Sequence, residues 1–293
     1  MMREGKSRSL DQEVYRALHT GAFGDLQFYR SLVAEWTEIH QKAPKVLELG
    51  CGSGRILIEL AKGGAEITGV DLIQGALDYC DQKLRVDEDQ ELRTRVKLIC
   101  SDFTEFSRDC SELEGSFDLV LITYNSIYCL NSSVEQVALI KDAFRFLTPQ
   151  GVLWIDGYAL PDPEIYEYES DDDFSPLTVI SLPNWPSGEP RELGVEERDR
   201  FDLEAQRFIV SYRYKAPIGE EDREPLHLKV EEIEHQYIYP WQLPKLCALA
   251  GGILNSLTAD FGGDDLNVSG DLKSYAWGID AEHWVASIIP QRP

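Results

Sequence analysis

The chain has 293 residues, 43% hydrophobic and 27% charged, which is enough to bury a core without disulfides and far from collagenous or disordered compositions. Its 28 basic residues face 52 acidic ones, a formal charge of -24 that repels a nucleic-acid backbone, and no basic patch offsets it. No apolar run approaches the about eighteen residues of a membrane helix and the first residues lack the apolar stretch of a secretory signal, so no membrane partner and a cytoplasmic location are expected.

Residues 10–40 read as helical, with a broken apolar stripe of Tyr15, Leu18, Phe28, Leu32, Val33 and Trp36 that could lie over the open edge of a sheet. From about residue 45 short β-rich runs alternate with helix-length amphipathic stretches, the signal of βαβ units and a parallel sheet. The strands expected are 45–49, 66–72, 95–101, 117–124 and 151–158, with helices at 54–62, 74–84 and 132–147. The last helix has Val134, Val137, Ala138, Ile140, Phe144 and Leu147 at near-helical spacing, a cap at Ser132 or Ser133, and Pro149 as a stop.

After the fifth strand the rhythm stops. Residues 159–239 carry Pro-rich joints, the acidic run EYESDDD and two alternating stretches, 200–214 and 227–239, expected to pair antiparallel across the turn APIGEEDREP. From 161 to 240 there are 8 basic and 21 acidic residues, a net of -13 that reads first as a solvated face. The run PWQLPKLCALAGG then resembles a helix with a glycine cap, followed by strand candidates in ILNSLTADFGG and HWVASIIP. The domains expected are therefore 1–158, an N-terminal helical part with a cofactor-binding core; 159–239, an acidic antiparallel insertion; and 240–293, the rest of the core.

The six cysteines form no C-x-x-C pair and the five histidines stand singly, so reduced structural thiols and no metal are expected. The informative stretch is Glu48-Leu49-Gly50-Cys51-Gly52-Ser53-Gly54-Arg55, where an apolar strand runs into a glycine-rich turn and a helix. Glycines there let a ligand approach backbone at the crevice above the strand ends, and Asp71 at the end of the next strand is placed to accept from a ribose diol. Dinucleotide binders prefer G-x-G-x-x-G, but counting from Gly50 meets Arg55 and counting from Gly52 meets Leu57.

With G-x-G-x-G behind Glu48, the string LELGCGSGR resembles the first motif of the class I S-adenosylmethionine-dependent methyltransferases, close to their small-molecule subgroup. The resemblance runs on in order over roughly residues 44–158, through GVDL, the CSDF that ends the third strand, FDLVLITYNSIYCL and LTPQGVLWID, where Gln150 replaces the first glycine of the usual turn. It implies a Rossmann-like, doubly wound, mostly parallel seven-stranded sheet with the antiparallel insertion after the fifth strand, and S-adenosylmethionine as cofactor. It places Glu48, Gly50, Cys51, Gly52, Ser53 and Gly54 at the cofactor loop, Asp71 on the ribose, and Leu72, Asp102 and Phe103 around the adenine. Tyr124, Asn125 and Ser126 should face the methionine part and the acceptor. Tyr29 either closes over the cofactor's carboxylate end or is a helix-face aromatic packed on the sheet.

The implied reaction moves a methyl group to a nitrogen or oxygen of a small-molecule acceptor, with the acidic surplus leaning toward an amine. The other readings are a non-catalytic binder of the same cofactor and, against the glycine spacing, an NAD-dependent oxidoreductase. The insertion is either a substrate lid or a contact in a homo-oligomer. Sequence marks no catalytic base, since His19, His235, Tyr128 and the insertion's carboxylates qualify only by type.

Overall fold

The computed structural model describes residues 9–89, 91–159, 174, 178–182, 191–202, 204–215, 231–262 and 283–291. They divide into two units, one of Met1–Thr20 with Pro163–Tyr237 and the other of Gly21–Asp162 with Ile238–Pro293. The first helix, α1 (Ser9–Leu18), belongs with the unit of the insertion, whereas the sequence reading grouped it with the core.

In the larger unit the chain runs α2 (Asp25–His40), β1 (Lys45–Leu49), α3 (Arg55–Lys62), β2 (Glu66–Asp71), α4 (Gln74–Val86), β3 (Val96–Cys100), α5 (Phe106–Asp109), β4 (Phe117–Ile122), α6 (Ser133–Phe146) and β5 (Leu147–Tyr158). It resumes later with α7 (Leu243–Leu249), β10 (Gly252–Ala259) and β11 (His283–Pro290). The seven strands lie in the order β10-β11-β5-β4-β1-β2-β3. β1 to β5 pair in parallel, and β11 is antiparallel to both β5 and β10. This is the doubly wound, mostly parallel seven-stranded sheet that the resemblance implied, and its parallel strands are those the alternating pattern signalled.

Strands buried on both faces explain why β1 and β4 are near-continuous apolar runs. α3 seals one face with Ile56, Leu57, Leu60 and Ala61, all at most 3% exposed; burial of each leucine side chain contributes about 2 kcal/mol. α2 lies over the face of the sheet rather than its open edge, because Phe28 meets the Trp154 ring of β5 edge-on at 5.3 Å, and β5 is an interior strand. α6 is capped by Ser132, whose side chain accepts from the Glu135 amide. Its buried stripe is Gln136, Leu139, Ile140, Ala143 and Phe146, one step round from the stripe expected, and Val134 is 76% exposed. The switch comes from Gln136, which is buried because its amide donates to the Ile127 carbonyl at 3.3 Å. Gln150 falls inside β5, not in a turn.

The smaller unit contains a four-stranded sheet, ordered β6 (Thr178–Leu182), β7 (Arg191–Asp202), β8 (Arg207–Lys215) and β9 (Glu231–Gln236), antiparallel throughout. The stretch 200–214 is thus not one strand. It is cut by a turn at Glu204–Gln206, and the charged segment before it forms β7. The second stretch pairs antiparallel with β8 but ends at Gln236, so Tyr239 lies beyond it, in the larger unit. The joints around 161–163 and 183–190, EYESDDD, the turn 216–225 and residues 227–230 lie outside the described residues.

Candidate functional site

The turn after β1 sits at the C-terminal ends of the parallel strands, the crevice where open α/β sheets bind ligands. The Gly50 and Cys51 amides both donate to the Val70 carbonyl of β2, at 2.8 and 3.0 Å, so the loop is pulled against the neighbouring strand. Gly50, Gly52 and Gly54 all take positive φ, at +83°, +53° and +80°. Two of them are hemmed in: a Cβ on Gly50 would stand 2.6 Å from the Ser126 Oγ, and one on Gly54 would stand 2.3 Å from the Cys80 Sγ. Gly52 differs, because a Cβ there would meet no atom of the described residues within 4 Å.

Asp71 ends β2, with one oxygen accepting the Gly52 amide at 2.7 Å and the other the Ile73 amide at 2.9 Å. Burial raises its carboxyl above the usual carboxylate range. Glu48, one residue before the end of β1, is 2% exposed; its Oε1 accepts the Thr123 hydroxyl at 2.9 Å, while its Oε2 is buried with no hydrogen-bond partner among the described residues. Burial pushes the Glu48 carboxyl up to about 8, against the pull of the Thr123 hydroxyl and Arg55 and with the push of Asp156 and Asp71. A buried acceptor without a donor, beside an open glycine, suits a ligand that brings a cationic donor.

The other expected residues fall at the same end of the sheet with different surroundings. Leu72 is 58% exposed. Asp102 is exposed and closes a turn, its Oδ1 accepting the Thr104 amide and hydroxyl at 2.9 and 2.6 Å. Phe103 reaches the glycine loop, its Cε1 lying 3.7 Å from where a Gly50 Cβ would stand. Ser126 packs under Gly50 and donates to the Thr123 carbonyl at 2.7 Å. Cys51 is buried and its thiol is raised well above its ordinary value by burial, then by Glu48 and Asp71, the reverse of what a nucleophile needs.

Tyr29 of α2 packs inside the larger unit. It is 1% exposed and donates its hydroxyl to Asp156 Oδ2 at 2.6 Å.

Sequence reasoning missed Asp156, Asp25 and Arg55. Arg55 opens α3, where the positive end of the helix dipole disfavours a cation, and that misplacement was its signal. Asp156 is an acid inside an apolar strand, which is equally legible once sought. Tyr128, weighed as a base, is fully buried, its hydroxyl donating to the Tyr158 carbonyl at 2.9 Å and accepting from the Trp284 indole at 2.9 Å. His19 and His235 lie in the smaller unit, where burial lowers each to about 4.

A methyltransferase-domain family matches residues 46–151. The cypemycin N-terminal methyltransferase of Streptomyces sp is 30% identical over 123 residues, 41% of this chain and 45% of that protein. Among solved structures, the CcbJ methyltransferase from Streptomyces caelestis is similar with a TM-score of 0.66 at 20% identity, covering 93% of this chain and 92% of that one. CalS10 from Micromonospora echinaspora, an amino pentose methyltransferase solved with S-adenosylmethionine, is similar with a TM-score of 0.61 at 16% identity, covering 98% and 99%. The chain spans about half the length of the curated relatives it matches. Glycine loop, strand-end acids and sheet order agree with these matches: residues 46–151 match a methyltransferase-domain family, and the fold is the Rossmann-like α/β fold of the similar solved structures.

Proposed function

We propose that the chain transfers the cofactor's methyl group to a nitrogen or oxygen of a small-molecule acceptor, an amine before a hydroxyl. The observation that carries this reading is the grouping of Gly52's open side, the Asp71 carboxylate and the unpartnered Glu48 Oε2 at the ends of β1 and β2. These residues fit the cofactor: a backbone without side chains admits it, Asp71 accepts from the ribose diol, and the Glu48 carboxyl, raised to about 8 by burial, is drawn to its ionised form by the cationic methionine end. Leu72 and Phe103 flank the adenine, with Asp102 on its amino group, and residues 124–126 line the methionine end and the acceptor. Gly50, Cys51, Ser53 and Gly54 complete the loop; Tyr29 acts from inside the fold.

The bound cofactor supplies a sulfonium-activated methyl group. The protein's part is to align the acceptor in line with that methyl and to exclude water, a proximity effect worth several kcal/mol of the barrier. An acceptor amine that arrives neutral needs no proton removed before it attacks, whereas a hydroxyl does. The engaged Tyr128 hydroxyl and the two buried imidazoles are poorly suited to that proton transfer, which supports the amine. The formal charge of -24 concentrates the protonated form of such an amine near the protein, and the neutral fraction in equilibrium with it, its proton lost to water, is the form that attacks. The cypemycin enzyme and the amino pentose methyltransferase are named for comparable acceptors. We assign acceptor selection to the insertion 159–239, with a homo-oligomer contact as its other use.

Calorimetric titration with S-adenosylmethionine and, separately, NAD tests the site on the wild type and on Asp71→Ala. Micromolar affinity for the sulfonium cofactor alone, weakened at least about tenfold by the substitution, or about 1.4 kcal/mol, is the expected result. Methylated product from a panel of amines, read by mass, then tests transfer. Binding without transfer to any amine or hydroxyl would leave a cofactor-binding protein, and absence of binding by folded protein would sink the reading.

A further inference from the structure

At the end of β4 two consecutive residues that are not glycine adopt the left-handed conformation, Tyr124 at φ +51° and Asn125 at φ +62°. Each costs about 1 kcal/mol or more relative to ordinary backbone, and such pairs persist only where the surroundings over-determine them. Here the surroundings are one carboxylate. Asp156 of β5 is 1% exposed and takes three donors: the Tyr29 hydroxyl at 2.6 Å, the Asn125 amide at 3.2 Å and the Tyr124 amide. The Asn125 side chain fastens the turn from the other side, its Oδ1 accepting the Tyr158 amide at 2.7 Å. A buried carboxylate is costly unless its oxygens are bonded, so an apolar residue at 156 would serve the strand better than an acid. The acid serves the turn instead.

That turn sets three groups at the mouth of the glycine loop. Ser126 is brought under Gly50, the Tyr124 ring lies 5.1 Å from the Arg55 guanidinium, and the Asn125 Nδ2 is left buried without an acceptor among the described residues. We propose that Asp156, with Tyr29 as its hydroxyl donor, is a positioning residue for methyl transfer: it holds the Tyr124–Asn125 turn in the conformation that presents residues 124–126 to the cofactor. The inference rests on the proposed role of residues 124–126. Tyr29 then acts through Asp156 from within the fold, not as a cover over the cofactor.

The test compares wild type, Asp156→Asn, Tyr29→Phe and the double variant, by hydrogen exchange without ligand and by calorimetric titration with S-adenosylmethionine. An amide at 156 keeps the shape but replaces one acceptor oxygen with a donor. Exchange in peptides covering 123–128 should rise at least about tenfold in Asp156→Asn while β1 stays at the wild-type rate, with at least about tenfold weaker cofactor binding. Tyr29→Phe should lose about threefold, and the double variant should bind no more weakly than Asp156→Asn, because one residue acts through the other. Exchange that rises evenly through the sheet, or cofactor affinity within about twofold of wild type in folded Asp156→Asn, overturns the proposal. If that variant does not fold, Tyr29→Phe decides on the same two readouts, and unchanged exchange at 123–128 overturns it. Wild-type protein that binds no cofactor defeats the functional reading itself, whereas binding that the variants leave intact defeats only the role of Asp156.

Discussion

Arg55, the first residue of the helix after the glycine loop, forms a two-pronged ion pair with Asp25 at the head of α2, NH1 donating to Oδ1 at 3.0 Å and NH2 to Oδ2. The Asp25 side chain is 4% exposed and that of Arg55 25%, so the pair is only partly screened by water. It ties the segment entering α2 to the cofactor loop. Removing the cation leaves a nearly buried carboxylate with the Ala22 and Leu26 amides as its remaining donors.

Arg55→Met should therefore cost about 2–3 kcal/mol of stability, below the range for a fully buried pair because Arg55 is partly solvated. Urea denaturation of the ligand-free protein checks this. A loss under about 0.5 kcal/mol would mean that the pair behaves as an exposed one.

Gly52 and Gly54 should separate binding from folding. Both have positive φ, so alanine strains the backbone by about 1–2 kcal/mol at either. At Gly54 the new methyl also meets the Cys80 Sγ inside the core, whereas at Gly52 it meets no atom of the described residues. Gly54→Ala should aggregate or melt far below wild type. Gly52→Ala should stay folded with at least about tenfold weaker binding of S-adenosylmethionine. Unchanged affinity in Gly52→Ala would place the ligand elsewhere.

What was legible in the sequence was whatever a local pattern encodes. β1 and β4 announce themselves as apolar runs ahead of turn residues, and the glycine spacing with Asp71 marks the candidate site. β7 was not legible, because its segment RELGVEERDRFD has no strand-like alternation of apolar and polar residues. Burial of Leu193 and Val195 anchors it, and its charged residues find partners on other strands, Glu196 with Arg213 of β8 and Arg200 with Glu232 of β9, which are known only once the register is. Asp156 was missed for a related reason: its three donors come from residues 29, 124 and 125, and no local window contains them all.

If the acceptor is a cationic amine, the formal charge of -24 should appear in its salt dependence. KM for such an acceptor should rise several-fold as the Debye length shrinks from about 10 Å at 0.1 M salt to about 3 Å at 1 M, with kcat nearly constant. A neutral acceptor should show no such rise. Steady-state kinetics across that range distinguishes them, and a KM indifferent to salt for the best amine would remove electrostatics from acceptor selection.

The buried carboxyls should also set how stability changes with pH. Burial raises Glu48 to about 8 and Asp156 to about 6, both above their values in an unfolded chain, so the folded state binds more protons than the unfolded state between those limits. The stabilisation is fully present below the unfolded values near pH 4 and is lost as pH rises through 6 and then 8. Growing net negative charge acts in the same direction, so the wild-type slope alone does not identify its source. Glu48→Gln supplies a neutral side chain at every pH and keeps an acceptor for the Thr123 hydroxyl, so it should flatten the part of the slope between about pH 6 and 8. Thermal melting of both proteins without cofactor, from pH 4.5 to 8.5, compares the two curves. Parallel curves over the upper half of that range would mean that Glu48 ionises in the folded protein as it does in water.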